Sequence, residues 1–202
     1  MPDSPRPRLY EPPAPPRPCI ERWLILISGF LQTEGQPTGF VRLWSELHHT
    51  HSGPYSRVEL RAWDDDWHDL AELIWRCRPR DNGVDVRIFA YSWGGPSAMK
   101  LARELGRRGI RVRAMALCDP VYRDRWRLWR TLFPWPEIRV PTTVGEVAWV
   151  RQRRDWPQGH DVVAEDARQT IIHEPRIVDC GHTYMDDSKQ FRQMAHVIAR
   201  MG

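Results

Sequence analysis

Lysine is almost missing from this chain. Of its 30 Lys and Arg residues only Lys100 and Lys189 are lysine. An arginine-rich chain could bind phosphate or nucleic acid. Here 26 acidic residues bring the net charge to only +4. The charges are interspersed, no single basic face stands out, and no groove-reading motif is present. A bias towards arginine is the simpler reading, and no nucleic-acid partner is expected. Cysteine is also scarce: Cys19, Cys77, Cys118 and Cys180 show neither a CxxC pair nor metal-ligand spacing. That argues against a disulfide framework and a thiolate metal site, and the four read as small buried hydrophobes in a reducing compartment. No apolar run approaches the about 18 residues of a membrane span, and no apolar stretch follows a basic start. The expectation is a cytoplasmic protein with no integral membrane segment. The 202 residues suffice for one domain with a core of its own.

What is present is organised around Val86 to Gly95, Val-Arg-Ile-Phe-Ala-Tyr-Ser-Trp-Gly-Gly. Its first half is β-branched and aromatic, as in a strand. Its second half is a turn of small residues around Ser92. From Pro96 onward Ala98, Leu101, Ala102 and Leu105 recur at helical spacing. Strand, tight turn with a serine, then helix is the nucleophile elbow, Gly-x-Ser-x-Gly. Here it reads Ala90-Tyr91-Ser92-Trp93-Gly94, with alanine at the first glycine. The positions two before and two after the serine must be small where strand passes into helix. An ordinary strand-to-helix turn also uses Ser and Gly, so the rest of the chain has to decide.

In chain order, Met1 to Pro18 is rich in Pro and Arg and reads as a tail without a core, residues 1–19, ahead of one domain over 20–202. Trp23 to Ser28 is a continuous apolar run suited to a strand buried on both faces of a parallel sheet. The turn Gly29-Phe30-Leu31-Gln32 follows it. Thr38 then caps a helix with Val41, Trp44 and Leu47 on one face. His48, His49 and His51 end that helix, where histidine suits the dipole better than adjacent positions suit one metal ion. Arg57 to Trp63 alternates as a strand, and Asp64-Asp65-Asp66 sits at the N-terminus of the next helix. Val112 to Cys118 is a further strand ending in Asp119-Pro120. Tyr122 to Val140 holds Trp126, Trp129, Phe133 and several arginines without a clean period. It either covers the sheet or roofs a pocket for an apolar acyl or ring-bearing substrate, with 122–145 a candidate lid. Glu146 to Val150 reads as a short strand, Arg151 to Gln169 as a long surface loop, and Pro175 to Asp179 as a short strand before Cys180-Gly181-His182. A last helix starts near Asp187 or Ser188.

Three residue types with one shared chemistry therefore follow strands. Ser92 follows one directly, Asp119 follows the next, and His182 follows the last, before the final helix. A serine hydroxyl attacks only when a base takes its proton. Histidine supplies the base, and a carboxylate holds its tautomer and stabilises the imidazolium. For the acid, Asp119 competes with Asp155, Asp161 and Asp179. For the base, His182 competes with His160, His173 and His196.

The order Ser…Asp…His resembles that of α/β-hydrolases. The elbow at Ser92 matches the family except at Ala90. Leu117-Cys118-Asp119-Pro120 resembles the Leu-x-Asp-Pro motif of pancreatic-type lipases, in which that aspartate is the catalytic acid. In many α/β-hydrolases, however, the acid follows the strand after, which would point to Asp155. Over about Trp23 to Gly202 the chain resembles a compact, lipase- or cutinase-like α/β-hydrolase. The resemblance implies an α/β fold with a mostly parallel central sheet flanked by helices. It implies acyl transfer by Ser92, His182 and Asp119, with Asp155 the alternative acid. Backbone N–H groups of Trp93 and of Phe30 or Leu31 would form the oxyanion hole. No metal or organic cofactor is implied. The expected partner is a small-molecule or lipid-like ester or thioester, bound near Trp126, Trp129 and Phe133. A non-catalytic hydrolase-fold protein that binds through that aromatic and arginine segment is the alternative.

Overall fold

The computed structural model describes residues 19–30, 38–80, 83–122 and 137–201. The chain alternates strand and helix from the start: β1 (Arg22–Ile27), α1 (Gly39–His51), β2 (Ser56–Arg61), α2 (Trp67–Cys77), β3 (Asp85–Tyr91), α3 (Gly94–Arg107) and β4 (Val112–Cys118). β5 (Ile138–Val140), β6 (Val144–Arg151), β7 (Val162–Ala164), β8 (Ile171–Ile172) and β9 (Arg176–Ile177) follow. A 3-10 helix (His182–Asp187) and α4 (Lys189–Arg200) close the fold. The main sheet has the order β2-β1-β3-β4-β6-β8, with β9 also paired to β6, and its strand pairs are parallel. No described helix is long and apolar enough to cross a membrane.

The apolar runs explain why this sheet is sandwiched. Along β1, Trp23, Ile25 and Ile27 enter the core that holds α2 and α3, while Leu24 and Leu26 enter the core that holds α1 and α4. β3 divides the same way, with Ile88 and Ala90 on one side and Phe89 and Tyr91 on the other. Strands buried on both faces need no polar alternation, which is why they read as continuous hydrophobic runs. The helices start where short polar side chains cap them. Thr38 accepts from the Val41 N–H, Asp66 from His68 and Asp69, and Ser188 from Phe191.

β1 leads outward to β2, whereas β3 leads to β4 on the opposite side. The loops after β1 and β3 therefore diverge at the carboxyl ends of these neighbours. Open α/β sheets bind ligands at such a switch point.

Several sequence expectations need correction. Arg151 to Gln169 is not a plain surface loop: β7 lies within it and pairs in parallel with β5, and Gln152 and His160 are buried. Three-residue strands with no alternation of their own leave little signal. The strand expected over Pro175 to Asp179 shrinks to Arg176–Ile177. α3 begins at Gly94 rather than at Pro96, which occupies its first turn. Cys19 is exposed and Cys180 half-buried, so only Cys77 and Cys118 are the buried hydrophobes expected. Of the 1–19 tail, residues 1–18 lie outside the described residues, as do 123–136 of the 122–145 segment.

One charge lies deep in the core. Arg87 of β3 is fully buried. Its Nε and Nη2 bond the Asp85 carboxylate at 3.0 and 2.5 Å, Nη1 donates to the Ile198 carbonyl at 2.6 Å, and Nη2 also reaches the Met201 carbonyl. The guanidinium thereby satisfies end carbonyls of α4 and complements the negative end of its dipole. Asp85 keeps a second partner in Arg22, 3.2 Å away, which lessens the loss when Arg87 is removed. Arg87→Met is expected to destabilise the fold by about 3 kcal/mol, read as a lower urea midpoint at unchanged slope. A loss below about 1 kcal/mol would show that the guanidinium does not anchor α4.

Candidate active site

At the end of β3 the chain turns sharply. Ser92 has φ 51°, in the left-handed region, a conformation that costs a non-glycine residue about 1–3 kcal/mol. Three backbone bonds hold it there. Its N–H donates to the Cys118 carbonyl at 2.9 Å, and its carbonyl accepts from Gly95 and Val121 at 3.0 Å. The turn passes so close to β1 that a Cβ on Gly94 would press into the Ile27 carbonyl oxygen. Ala90 lies fully buried within β3, between Ile27 and Leu117 of the neighbouring strands. A methyl group fits there because it points into the core rather than at a backbone.

The structure brings Ser92, His182 and Asp119 together. Ser92 Oγ lies 2.9 Å from His182 Nε2, and His182 Nδ1 lies 2.6 Å from Asp119 Oδ2. All three are buried. Since a carboxylate only accepts, Nδ1 carries the proton towards Asp119, and Nε2 is left to accept from the serine hydroxyl. Asp119 itself has φ 42°. Its other oxygen, Oδ1, accepts from the N–H groups of Gln152 at 3.2 Å and Gly159 at 2.9 Å. Any side chain at position 159 would run into that oxygen.

Asp155 occupies a different place from the one its candidacy as the acid required. Its Oδ1 accepts from the backbone N–H of His182 at 2.8 Å, not from the ring. On the opposite side the Tyr91 hydroxyl donates to the His182 carbonyl at 2.7 Å, and the Tyr91 ring lies 5.3 Å from the imidazole at 25°. Burial pushes the Tyr91 phenol far above its usual range, so it stays a donor. The other candidates lie elsewhere. Asp161 is paired with Arg151, and Asp179 is exposed. His173 bonds Glu146 and His196 bonds Glu46.

Sequence reading missed Gln152. It is fully buried, and its amide templates the loop after β6. Nε2 donates to the carbonyls of Asp155 and Pro157, and Oε1 accepts from the N–H groups of Arg154 and Asp155. This loop delivers both the Asp119 donors and Asp155. Nothing local in the sequence marks a glutamine that folds its own loop; the only trace is a glycine, Gly159, seven residues on.

Trp93 follows Ser92 at the start of α3, and Phe30 follows β1, with their rings 4.2 Å apart. Gly29 beside Phe30 abuts Ser92 closely enough that a Cβ there would lie 3.0 Å from the serine Cβ. Leu31, Trp126, Trp129 and Phe133 lie outside the described residues. Among the described residues no three His, Cys, Asp or Glu side chains converge as a metal-holding group.

A parallel sheet of this order, with a strained serine between its central strand and the following helix, decides the architecture. The chain has an α/β fold with a parallel central sheet flanked by helices. No family model matches it, and no curated protein matches it. Solved structures similar to this chain are found at low identity. The RedJ thioesterase from the prodiginine pathway of Streptomyces coelicolor is 14% identical over 96% of this chain and 96% of its own, with a TM-score of 0.46. A putative hydrolase from Agrobacterium vitis S4 is 14% identical over 88% of this chain and 87% of its own, with a TM-score of 0.46. The NocB thioesterase domain, in covalent complex with a fluorophosphonate nocardicin G analogue, is 15% identical over 90% of this chain and 95% of its own, with a TM-score of 0.43.

His160 shows how the fold holds the loop beside Asp119. It is buried, its N–H donates to the Pro120 carbonyl, and its Nδ1 accepts from the Tyr122 N–H at 2.7 Å. Burial first, and the Arg151 guanidinium second, hold its imidazole below the usual histidine range. The unfolded chain takes up a proton near about pH 6.5, before the folded chain does. In that window the unfolded state binds more protons, so stability falls as pH falls towards the folded value and levels off below it. His160→Asn keeps an acceptor for the Tyr122 N–H without the titration. Urea unfolding between about pH 6.5 and 5 should therefore show a smaller loss of stability in the variant than in the native protein. Equal slopes would place the pH dependence elsewhere.

Proposed function

We propose that the protein is a serine hydrolase that cleaves a carboxylic ester or thioester through an acyl-enzyme, with Ser92 as nucleophile, His182 as base and Asp119 as acid. The observation that carries the reading is the unbroken hydrogen-bonded line from Ser92 Oγ through His182 to Asp119, set at 2.9 and 2.6 Å. Its position at the switch point of the sheet supports it further.

The steps follow from those contacts. Ser92 Oγ attacks the carbonyl carbon while its proton passes to His182 Nε2. Asp119 keeps the ring in place and offsets the charge of the imidazolium. The carbonyl oxygen becomes an oxyanion beside the backbone N–H groups of Trp93 and of Phe30 or Leu31, near the positive end of the α3 dipole. Collapse of the tetrahedral intermediate breaks the bond to the alcohol or thiol, which leaves with the proton from Nε2. Water then gives a proton to Nε2, attacks the acyl-serine and releases the acid, and Ser92 regains its hydrogen. Asp155 and Tyr91 serve as positioning residues, holding the main chain of His182 on either side.

Labelling with a fluorophosphonate probe is the direct test. The native chain is expected to label, and Ser92→Ala to lose the label entirely. Asp119→Asn should slow ester turnover by about 10,000-fold, as loss of the orienting carboxylate does in other triads. If Asp119→Asn retains near-native turnover while Asp155→Asn loses it, the acid is Asp155. A folded native protein that takes no label would instead favour a non-catalytic binding role.

A further inference from the structure

Past the nucleophile, the ends of β1, β2 and β3 carry three aromatic side chains that the bond-breaking steps do not use. Phe30 follows β1, Trp63 follows β2, and Trp93 follows Ser92. The rings of Phe30 and Trp93 lie 4.2 Å apart at 30°, those of Trp63 and Trp93 4.9 Å apart at 80°, and those of Phe30 and Trp63 6.0 Å apart at 69°. This is not core packing. Phe40, Phe89 and Phe191 are sealed inside, whereas Phe30 is 47% exposed and both tryptophans are half-buried. The cluster is also fixed to the nucleophile. The buried Ser97 hydroxyl of α3 donates to the Trp63 carbonyl, tying the end of β2 to the helix that follows Ser92.

Sheet order gives the cluster a direction. His182 reaches Ser92 with its ring anchored to Asp119, at the end of β4, on one side of β3. The group that leaves must take its proton from Nε2, so it lies on that side. An acyl substituent directed away from the leaving group extends over β1 and β2, where the three rings stand.

Resting on the serine-hydrolase reading above, we propose that Phe30, Trp63 and Trp93 form the acyl-binding subsite, and that it takes a neutral acyl group bearing an aromatic ring. Two rings are tilted 30° from each other and the third is edge-on to them, so an incoming ring meets both faces and edges. Such pairs add to the gain from burial, whereas an alkyl chain has burial alone. An anionic acyl group is disfavoured because Asp64, Asp65 and Asp66 follow Trp63 directly. Asp65 lies 3.7 Å from Arg61, Asp66 caps α2, and Asp64 is exposed.

The test compares p-nitrophenyl 3-phenylpropanoate with p-nitrophenyl acetate, and 2-phenylethyl acetate with ethyl acetate, in the native chain, Trp63→Leu and Phe30→Leu. In the native chain kcat/KM should favour the phenylpropanoyl over the acetyl ester by about tenfold or more, and each variant should cut that ratio several-fold. The ratio for a ring on the alcohol side should not move. Ser92→Ala should bind 3-phenylpropanamide with saturable quenching of tryptophan fluorescence, and Trp63→Leu in that background should abolish it. A phenylpropanoyl preference untouched by both variants, or a shift confined to the alcohol-side ring, overturns the subsite. Labelling of Ser92 separates the two readings. A labelled Ser92 with unmoved ratios leaves the hydrolase and rejects the subsite. An unlabelled Ser92 with amide binding that depends on Trp63 keeps the subsite and rejects the hydrolase.

Discussion

The carboxylate of Asp119 is the group on which the rest of the site depends. It is fully sealed from solvent, and a buried carboxylate without compensating donors would cost the fold several kcal/mol. Three donors reach it: His182 Nδ1 at one oxygen, and the N–H groups of Gln152 and Gly159 at the other. They come from two segments distant in sequence, both following strands on the β4 side of the sheet. The desolvation demand of one side chain thus couples the loop after β6 to the loop that carries the imidazole. Neither can move without exposing or orphaning the charge.

The imidazole is anchored through its backbone as well as its ring. Asp155 accepts its N–H, Tyr91 donates to its carbonyl, and Asp119 takes Nδ1. Three anchors around one residue leave Nε2 a single direction, towards Ser92. Asp155 in turn is placed by Gln152, whose four amide bonds replace the regular secondary structure that this loop lacks. A loop templated by a buried glutamine meets its own backbone needs without pairing to the sheet. It can therefore take the irregular course that brings Gly159 against Asp119.

What the sequence revealed is what local physics determines. β1, β3 and β4 are runs of apolar residues because both faces of the sheet are covered, and runs of that kind need no partner to be recognised. The Asp66 and Ser188 caps and the elbow around Ser92 are equally local. The β5–β7 pair, by contrast, consists of three-residue strands whose pairing is visible only once Ile138 lies beside Val162. The same holds for Asp155. As an aspartate in a polar loop it stands as the alternative to Asp119, and only the path of the chain turns it towards a backbone N–H rather than a ring. The aromatic residues divide similarly. Trp126, Trp129 and Phe133 drew attention because they cluster in sequence. Phe30, Trp63 and Trp93 are 33 and 30 residues apart, and only the parallel register of β1, β2 and β3 gathers them at one edge.

Ser92 and Asp119, both left-handed, end adjacent strands and are bonded into each other's turns. The Ser92 N–H donates to Cys118, and the Ser92 carbonyl accepts from Val121. Each conformation is unfavourable alone. Joined, each turn supplies the bonds that hold the other, so relaxing one would break contacts in both. The strain is placed where the sheet resists best: β3 and β4 are central, paired on both sides and buried on both faces. An edge strand such as β2, half-exposed along most of its length, would yield to the same load by shifting or fraying. The most stable part of the fold is thus the part that can hold a serine hydroxyl and a carboxylate in unfavourable backbone geometry, 2.9 and 2.6 Å from a shared imidazole. That is why the residues of the site lie where the hydrophobic runs are longest.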